Sequence, residues 1–142
     1  MQIRESSQGY IVALDPGEEL VCCLTSLARQ YDVDFATISG FGTISEVELG
    51  ARLSPEQHRR IRLRGSFELC MLQGAIGLLD GEPFPHMHAV LSRPDFTTAG
   101  GLVHQAVCGG SVEILVQPRS EPVHSFVQQK SYWDSKTVEA DA

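Results

Sequence analysis

Residues 46–64 read EVELGARLSPEQHRRIRLR, and the period of this stretch decides the fold. Val47, Leu49, Ala51 and Leu53 alternate with Glu46, Glu48, Gly50 and Arg52. Successive strand side chains point to opposite faces, so this is the pattern of a half-buried strand. Pro55-Glu56-Gln57 supplies a turn. From His58 to Arg64 the alternation resumes, with Arg60, Arg62 and Arg64 set against Ile61 and Leu63. The basic run is then one exposed strand face, which as a rule is simply solvated.

On the N-terminal side the period changes. Glu18 to Tyr31 places Leu20, Leu24, Leu27, Ala28 and Tyr31 at the i, i+3, i+4 spacing of an amphipathic helix. Glu18 and Glu19 are expected in its first turn and Arg29 in its last, as the macrodipole favours. Tyr10 to Leu14 reads as a strand stopped by Asp15-Pro16-Gly17. Met1 to Gly9 is polar, with no apolar stretch that resembles a signal peptide. Phe35 to Ile44 returns to a strand-like pattern around Gly40 and Gly42.

On the C-terminal side Phe67 to Leu79 is a long strand-like segment with Gly74 and Gly77 inside it, the mark of a bulge or a close backbone approach. Asp80-Gly81 is a turn. Phe84 to Ser92 and Gly101 to Cys108 are strands around the loop Arg93 to Thr97, and Val112 to Val116 is a further strand stopped by Pro118. From Arg119 the chain is polar, with scattered Val123, Phe126, Tyr132 and Trp133. One helix among many short strands predicts a single α+β domain, mostly an antiparallel sheet with one main flanking helix. The domain is expected over residues 1–118, with a polar extension over 119–142.

Composition narrows the function. The chain has 142 residues, one domain's length. Hydrophobic residues make up 42% and charged residues 20%, which excludes wholesale disorder. No apolar run reaches the roughly 18 residues of a membrane span, so a soluble cytoplasmic protein is the default. The formal net charge is −7. Phosphate-backbone binding needs clustered Lys and Arg, and the only basic cluster is Arg59, Arg60, Arg62 and Arg64. Electrostatics therefore argue against tight DNA binding by this chain alone. Cys22, Cys23, Cys70 and Cys108 form no Cys-x-x-Cys and read as free thiols of a reducing compartment, with Cys108 a candidate fourth metal ligand.

His86 and His88 lie two apart on a strand, so both imidazoles share one face. Such a pair can share a divalent metal, zinc first among the candidates, if a neighbouring strand adds a third donor. A hairpin centred on Phe96 would set His88 opposite His104, eight residues away on either side, with paired Cβ atoms about 4.5–5.5 Å apart. His86, His88 and His104 are thus the candidate metal ligands. Glu68 is a candidate to orient a ligand or act as a base, or to pair with an Arg of the preceding strand. His58 and His124 are isolated and read as surface residues. Ser39-Gly40-Phe41-Gly42 lacks the phosphate-binding fingerprint, and no triad or close carboxylate pair marks a catalytic centre.

The ordered set Leu14-Asp15-Pro16-Gly17-Glu18, Ile38-Ser39-Gly40-Phe41-Gly42, Gly65-Ser66-Phe67-Glu68-Leu69, Pro85-His86-Met87-His88-Ala89-Val90-Leu91, Gly100-Gly101 and Val112-Glu113 resembles the plants-and-prokaryotes-conserved (PPC) domain over roughly Gly9 to Pro118. The resemblance implies a compact antiparallel sheet with a flanking helix, assembled as a homotrimer. Glu68, Gly100 and Gly101 are the candidate ligand-pocket residues. Plant members add an Arg-Gly-Arg-Pro segment that enters the minor groove, and stand-alone bacterial members often carry a provisional DNA-binding label. This sequence has no Arg-Gly-Arg-Pro. The family pattern Gly-Gly-His-Leu is Gly100-Gly101-Leu102 here, and His104 is expected to replace the missing histidine. Three functions compete: a trimeric binding module with a metal or small ligand, a metal-dependent hydrolase-like enzyme, and a DNA-associated regulator using Arg59, Arg60, Arg62 and Arg64.

Overall fold

The computed structural model describes residues 1–122. Val123, Phe126, Tyr132, Trp133 and most of the expected extension lie outside the described residues. In chain order the elements are β1 Gln2–Ser6, β2 Gly9–Leu14, α1 Leu20–Gln30, β3 Ala36–Arg52, β4 His58–Leu79, β5 Glu82–Ser92 and β6 Thr98–Pro118. All strand pairs are antiparallel, in the order β1-β2-β6-β3-β4-β5. β5 also pairs with β6, so β3, β4, β5 and β6 close on one another.

The helix starts where its cap demands. Glu19 is the N-cap, accepting from the Val21 and Cys22 backbone N–H groups, rather than a residue of the first turn. The same carboxylate accepts from Ala106 N–H at 2.9 Å, which ties the helix start to β6. Leu20, Leu24, Leu27 and Ala28 form the buried stripe, and α1 lies against β5 and β6. Opposite them the sheet contributes Val12, Ile38, Ile44, Met87, Leu91 and Ile114 to one continuous core.

Three expected breaks are absent. Phe35–Ile44 and Val47–Leu53 are one strand, as are His58–Arg64 and Phe67–Leu79, and Gly101–Cys108 and Val112–Val116. The register shifts between Ile44 and Glu46 and between Gly42 and Ile44 explain this. A bulge interrupts the alternation of side chains while the hydrogen-bond ladder continues on either side. The polar N-terminus is also a strand: β1 is an edge paired only with β2, where polar side chains suit both exposed faces. The Met1 amine donates to Glu18 at 2.7 Å. Among the described residues no helix is long and apolar enough to cross a membrane.

Candidate functional site

β5 alternates as its sequence predicts. Met87, Ala89 and Leu91 enter the core, while His86, His88 and Val90 take the opposite face. Pro83 and Pro85 lack a backbone N–H and sit where β5 has β4 but not β6 as a ladder partner. The imidazoles of His86 and His88 lie side by side, ring centres 5.5 Å apart and tilted by 37°. His86 is buried and His88 exposed.

The third histidine is not placed as expected. His88 pairs with Leu102, not His104. The hairpin turns two residues tighter, closed by Arg93 N–H donating to Thr97 O and Phe96 N–H to Arg93 O. Leu102 therefore takes the place opposite His88 expected of His104. Against β3, Leu49 pairs with Val103 and Glu48 with Gln105, so His104 is the extra residue of a bulge. That inserted residue also shifts the parity of the residues after it. Cys108, expected on the His104 face, instead enters the core at 1% exposure, where burial pushes its thiol up to about 12. It is no metal ligand for this face.

The arginines do not form an open basic strip. Register sets Arg64 beside Glu46 and Arg62 beside Glu48. Arg64 Nε lies 3.5 Å from Glu46, Arg62 bridges Glu46 at 3.7 Å and Glu48 at 3.3 Å, and Arg60 reaches Glu48 at 3.5 Å. Arg59 pairs with Ala51 and is exposed. The expectation of a purely solvated arginine face is corrected here: the same alternation that exposes the arginines brings two glutamates of the facing strand between them.

His104 stands beside this ladder. Burial, reinforced by Arg60 and opposed by Glu48, holds its imidazole down to about 4, below the usual 6.5. An unfolded chain takes this proton near 6.5, the folded chain only near 4. The unfolded state thus binds more protons between those values, and acidification through that window destabilises the fold. Above it the group contributes nothing. After discounting for solvent screening, the loss is about 1–2 kcal/mol. Urea midpoints of chelator-treated protein should fall more between about pH 7 and pH 4.5 for the parent than for His104→Gln; parallel curves would refute the assignment.

The remaining candidates separate. Glu68 pairs with Thr43 and Ser92, and His88 with Gln73. The two rows are about 13 Å apart along the strand, so Glu68 does not orient the histidines. The idea that it pairs with an Arg of the preceding strand also lapses, because the arginines share its own strand, β4. Gly101 serves close packing: a Cβ there would lie 2.7 Å from the Gly50 carbonyl oxygen. Gly100 faces the Ala89 carbonyl at 3.0 Å within the β5–β6 hairpin, so Gly101 tightens the approach of β6 to β3 and Gly100 that of β6 to β5. His58 pairs with Arg52 at the far end of the β3–β4 hairpin, and His124 lies outside the described residues.

Two open clefts flank Phe41, which is 60% exposed. One, about 560 Å³, runs between Ile11, Phe41, Met71, Gln73 and Leu115. Its Gln73 is the β4 partner of His88, so the cleft begins one strand away from the histidines. The other, about 530 Å³, lies between Phe41, Ser66, Glu68 and Glu113. Phe41 between Gly40 and Gly42 was the available signal for both: an aromatic on a strand whose neighbours have no side chains.

Two imidazoles bound to one zinc at about 2.0–2.1 Å bring their ring centres to about 5 Å, which the His86–His88 pair approaches. Among the described residues no three His, Cys, Asp or Glu side chains converge as a complete ligand set. His86 and His88 thus have the spacing of a metal-binding pair, to which a metal held there would need a further donor.

The Plants and Prokaryotes Conserved (PCC) domain model matches residues 1–119. No curated protein matches the chain. Among solved structures, a Pyrococcus horikoshii plant- and prokaryote-conserved protein is 29% identical, with a TM-score of 0.73 over 80% of each chain. A Ralstonia eutropha JMP134 protein, provisionally named as DNA-binding, is 27% identical with a TM-score of 0.78, covering 84% of this chain and 83% of that one. A protein from Archaeoglobus fulgidus named as metal-containing is 25% identical with a TM-score of 0.74, covering 86% and 88%. The strand order, the helix α1 and the family match over residues 1–119 agree, and the chain belongs to the Plants and Prokaryotes Conserved domain family.

Proposed function

We propose that this chain is a binding module that holds a divalent metal or small ligand at His86, His88 and His104 and works as a cytoplasmic homotrimer. The observation that carries the reading is the His86–His88 pair, two imidazoles 5.5 Å apart on one face, one strand away from an open cleft that Gln73 lines. The Archaeoglobus fulgidus relative, named as metal-containing, supports it. The four cysteines are free thiols, as a reducing compartment keeps them. In a trimer the third donor comes from His104 or from a neighbouring copy.

Binding is favoured over hydrolysis because a metal-activated water needs a base, and Glu68 stands rows away from the histidines. The DNA-associated reading has the provisional name of the Ralstonia relative behind it. Against it, Glu46 and Glu48 interleave Arg60, Arg62 and Arg64, so a phosphate backbone following the ladder would meet carboxylates.

Elemental analysis of untagged protein purified without added metal tests the proposal. A stoichiometric divalent ion is expected, zinc first among the candidates, lost in both His86→Ala and His88→Ala. Sedimentation is expected to give three times the 15.5 kDa chain mass. A metal-free parent, or an ion retained in both variants, would overturn the metal site, and a monomer would overturn the assembly.

A further inference from the structure

One face of the sheet belongs to the core, and the other carries large apolar side chains that stay exposed. Ala36 and Ile38 are buried, so Thr37, Ser39 and Phe41 take the outer face of β3. On that face Ile11 pairs with Leu115, Leu115 with Ser39, and Ser39 with Gln73. Phe41 stands in the next row, and Met71, 55% exposed, lies beside it on β4. Ile11, Phe41, Met71 and Leu115 are the apolar walls of the 560 Å³ cleft. Exposed apolar side chains gathered around a groove, rather than scattered singly, mark an interaction site.

The chain leaves the sheet close to this cleft. Leu115 lines it, Gln117 pairs with Thr37 two residues on, and Arg119 N–H donates to Phe35 O at 2.7 Å. The backbone then bends at Ser120 and Glu121. Residues 123–142 follow, with Val123, Phe126, Val127, Tyr132 and the chain's single tryptophan, Trp133, among polar neighbours. From Arg119 the cleft residue Leu115 lies about 13 Å back along β6. The chain from Arg119 to Phe126 can span about 25 Å and that to Trp133 about 50 Å, so a segment that reverses at the bend has ample reach. Between the exit and the cleft stands Thr37, whose buried Oγ1 has no hydrogen-bond partner among the described residues. A buried hydroxyl left so is costly, and a polar group laid beside it would remove that cost.

We infer that residues 123–142 turn back past Thr37 and dock their aromatic side chains, Phe126, Tyr132 and Trp133, in the cleft of their own chain. A linked segment meets its own cleft at an effective concentration on the order of millimolar, which a separate molecule has to supply by abundance. A second copy is the other occupant such a face suits. The cleft is lined by eleven residues, whereas a stable interface takes about 20–30 a side, so the groove matches a segment better than a folded partner. The docked segment lies apart from the histidine pair, and metal content has no bearing on it.

The test uses the full chain, in which tryptophan fluorescence reports Trp133 alone. Emission is expected to lie to the blue of the urea-unfolded chain, with acrylamide quenching well below it. Phe41→Ser and Met71→Ser should each lower the ratio of docked to undocked segment about tenfold, as loss of one anchor in an interface does. Emission then moves to the red and quenching rises, while the urea midpoint stays near the parent's because both residues are exposed. Leu53→Ser, an exposed apolar residue at the far hairpin, should change neither. A nuclear Overhauser cross-peak between the Trp133 indole and the Met71 methyl should survive when labelled chains are diluted into an excess of deuterated copies. Its loss on dilution would place the segment in a neighbour's cleft and overturn the inference. Quenching of Trp133 as easy in the folded parent as in urea would overturn it too. So would a Phe41→Ser chain whose sedimented mass falls with Trp133 unmoved, since a second copy then covers the cleft.

Discussion

Gly74→Ala is expected to leave a chain that no longer closes β4 onto β5. Gly74 pairs with Ile38 on one side and Met87 on the other. A Cβ there would overlap the His86 carbonyl oxygen and lie 2.7 Å from the Met87 Cα and 2.9 Å from the His86 carbonyl carbon. All three are backbone atoms, so no side chain can swing aside. The strands must separate, and β5 is the strand that carries the histidine pair. Overpacking of a well-packed site typically costs about 1–3 kcal/mol, and a backbone clash belongs at or above the top of that range, about 3 kcal/mol. That is a large part of the roughly 5–15 kcal/mol by which domains are ordinarily stable. Gly110→Ala is the control, because its Cβ would meet only Thr43 side-chain atoms, at 3.2 Å and beyond. Urea unfolding of the two variants should separate them clearly. Equal midpoints would show that the approach at Gly74 is not tight.

Glu48→Ala is expected to cost about 3–5 kcal/mol, the range for removing one partner of a buried pair. Its carboxylate is only 9% exposed and stands against both Arg60 and Arg62. Without it the guanidiniums of Arg60 and Arg62 lose a shared, nearly buried counter-charge. Glu48→Gln keeps the shape and removes the charge, so it should lose most of the same stability. Glu46, 36% exposed, is the contrast: Glu46→Ala should cost less than about 1 kcal/mol, as exposed pairs do. Chemical denaturation at low and high salt reads all three. A Glu48→Ala loss below about 1 kcal/mol would mean that the ladder behaves as a set of surface pairs.

Local periodicity made much of this protein readable in advance. The stripe Leu20, Leu24, Leu27, Ala28 has one helical solution, and the alternations at Val47–Leu53 and His58–Arg64 have one strand solution. Those patterns follow from the geometry of a single element. They determine the α+β class, the antiparallel sheet and the common face of His86 and His88. The ordered motifs add the family.

Pairing and register are different in kind, because they depend on which residue lies opposite which. A hairpin centred on Asp95 rather than Phe96 is enough to set His88 against Leu102 and leave His104 further along β6. The bulge at His104 then reverses the parity expected from sequence and sends Cys108 into the core. The bulges at Ser45 and around Gly109–Gly110 likewise hide long strands as short ones. The neighbours of Arg60, Arg62 and Arg64 are a matter of register too: Glu46 and Glu48 are plain in the sequence as polar alternates, but only the β3–β4 ladder makes them counter-charges. The helix, the alternation within most strand segments and the common face of His86 and His88 were legible from the chain alone, since they follow from backbone periodicity, whereas β1, the joining of the strand segments and the face of Cys108 were not. Which charges and imidazoles meet was settled by the folded pairing, since a shift of one residue between two strands changes every partner while leaving the local pattern intact.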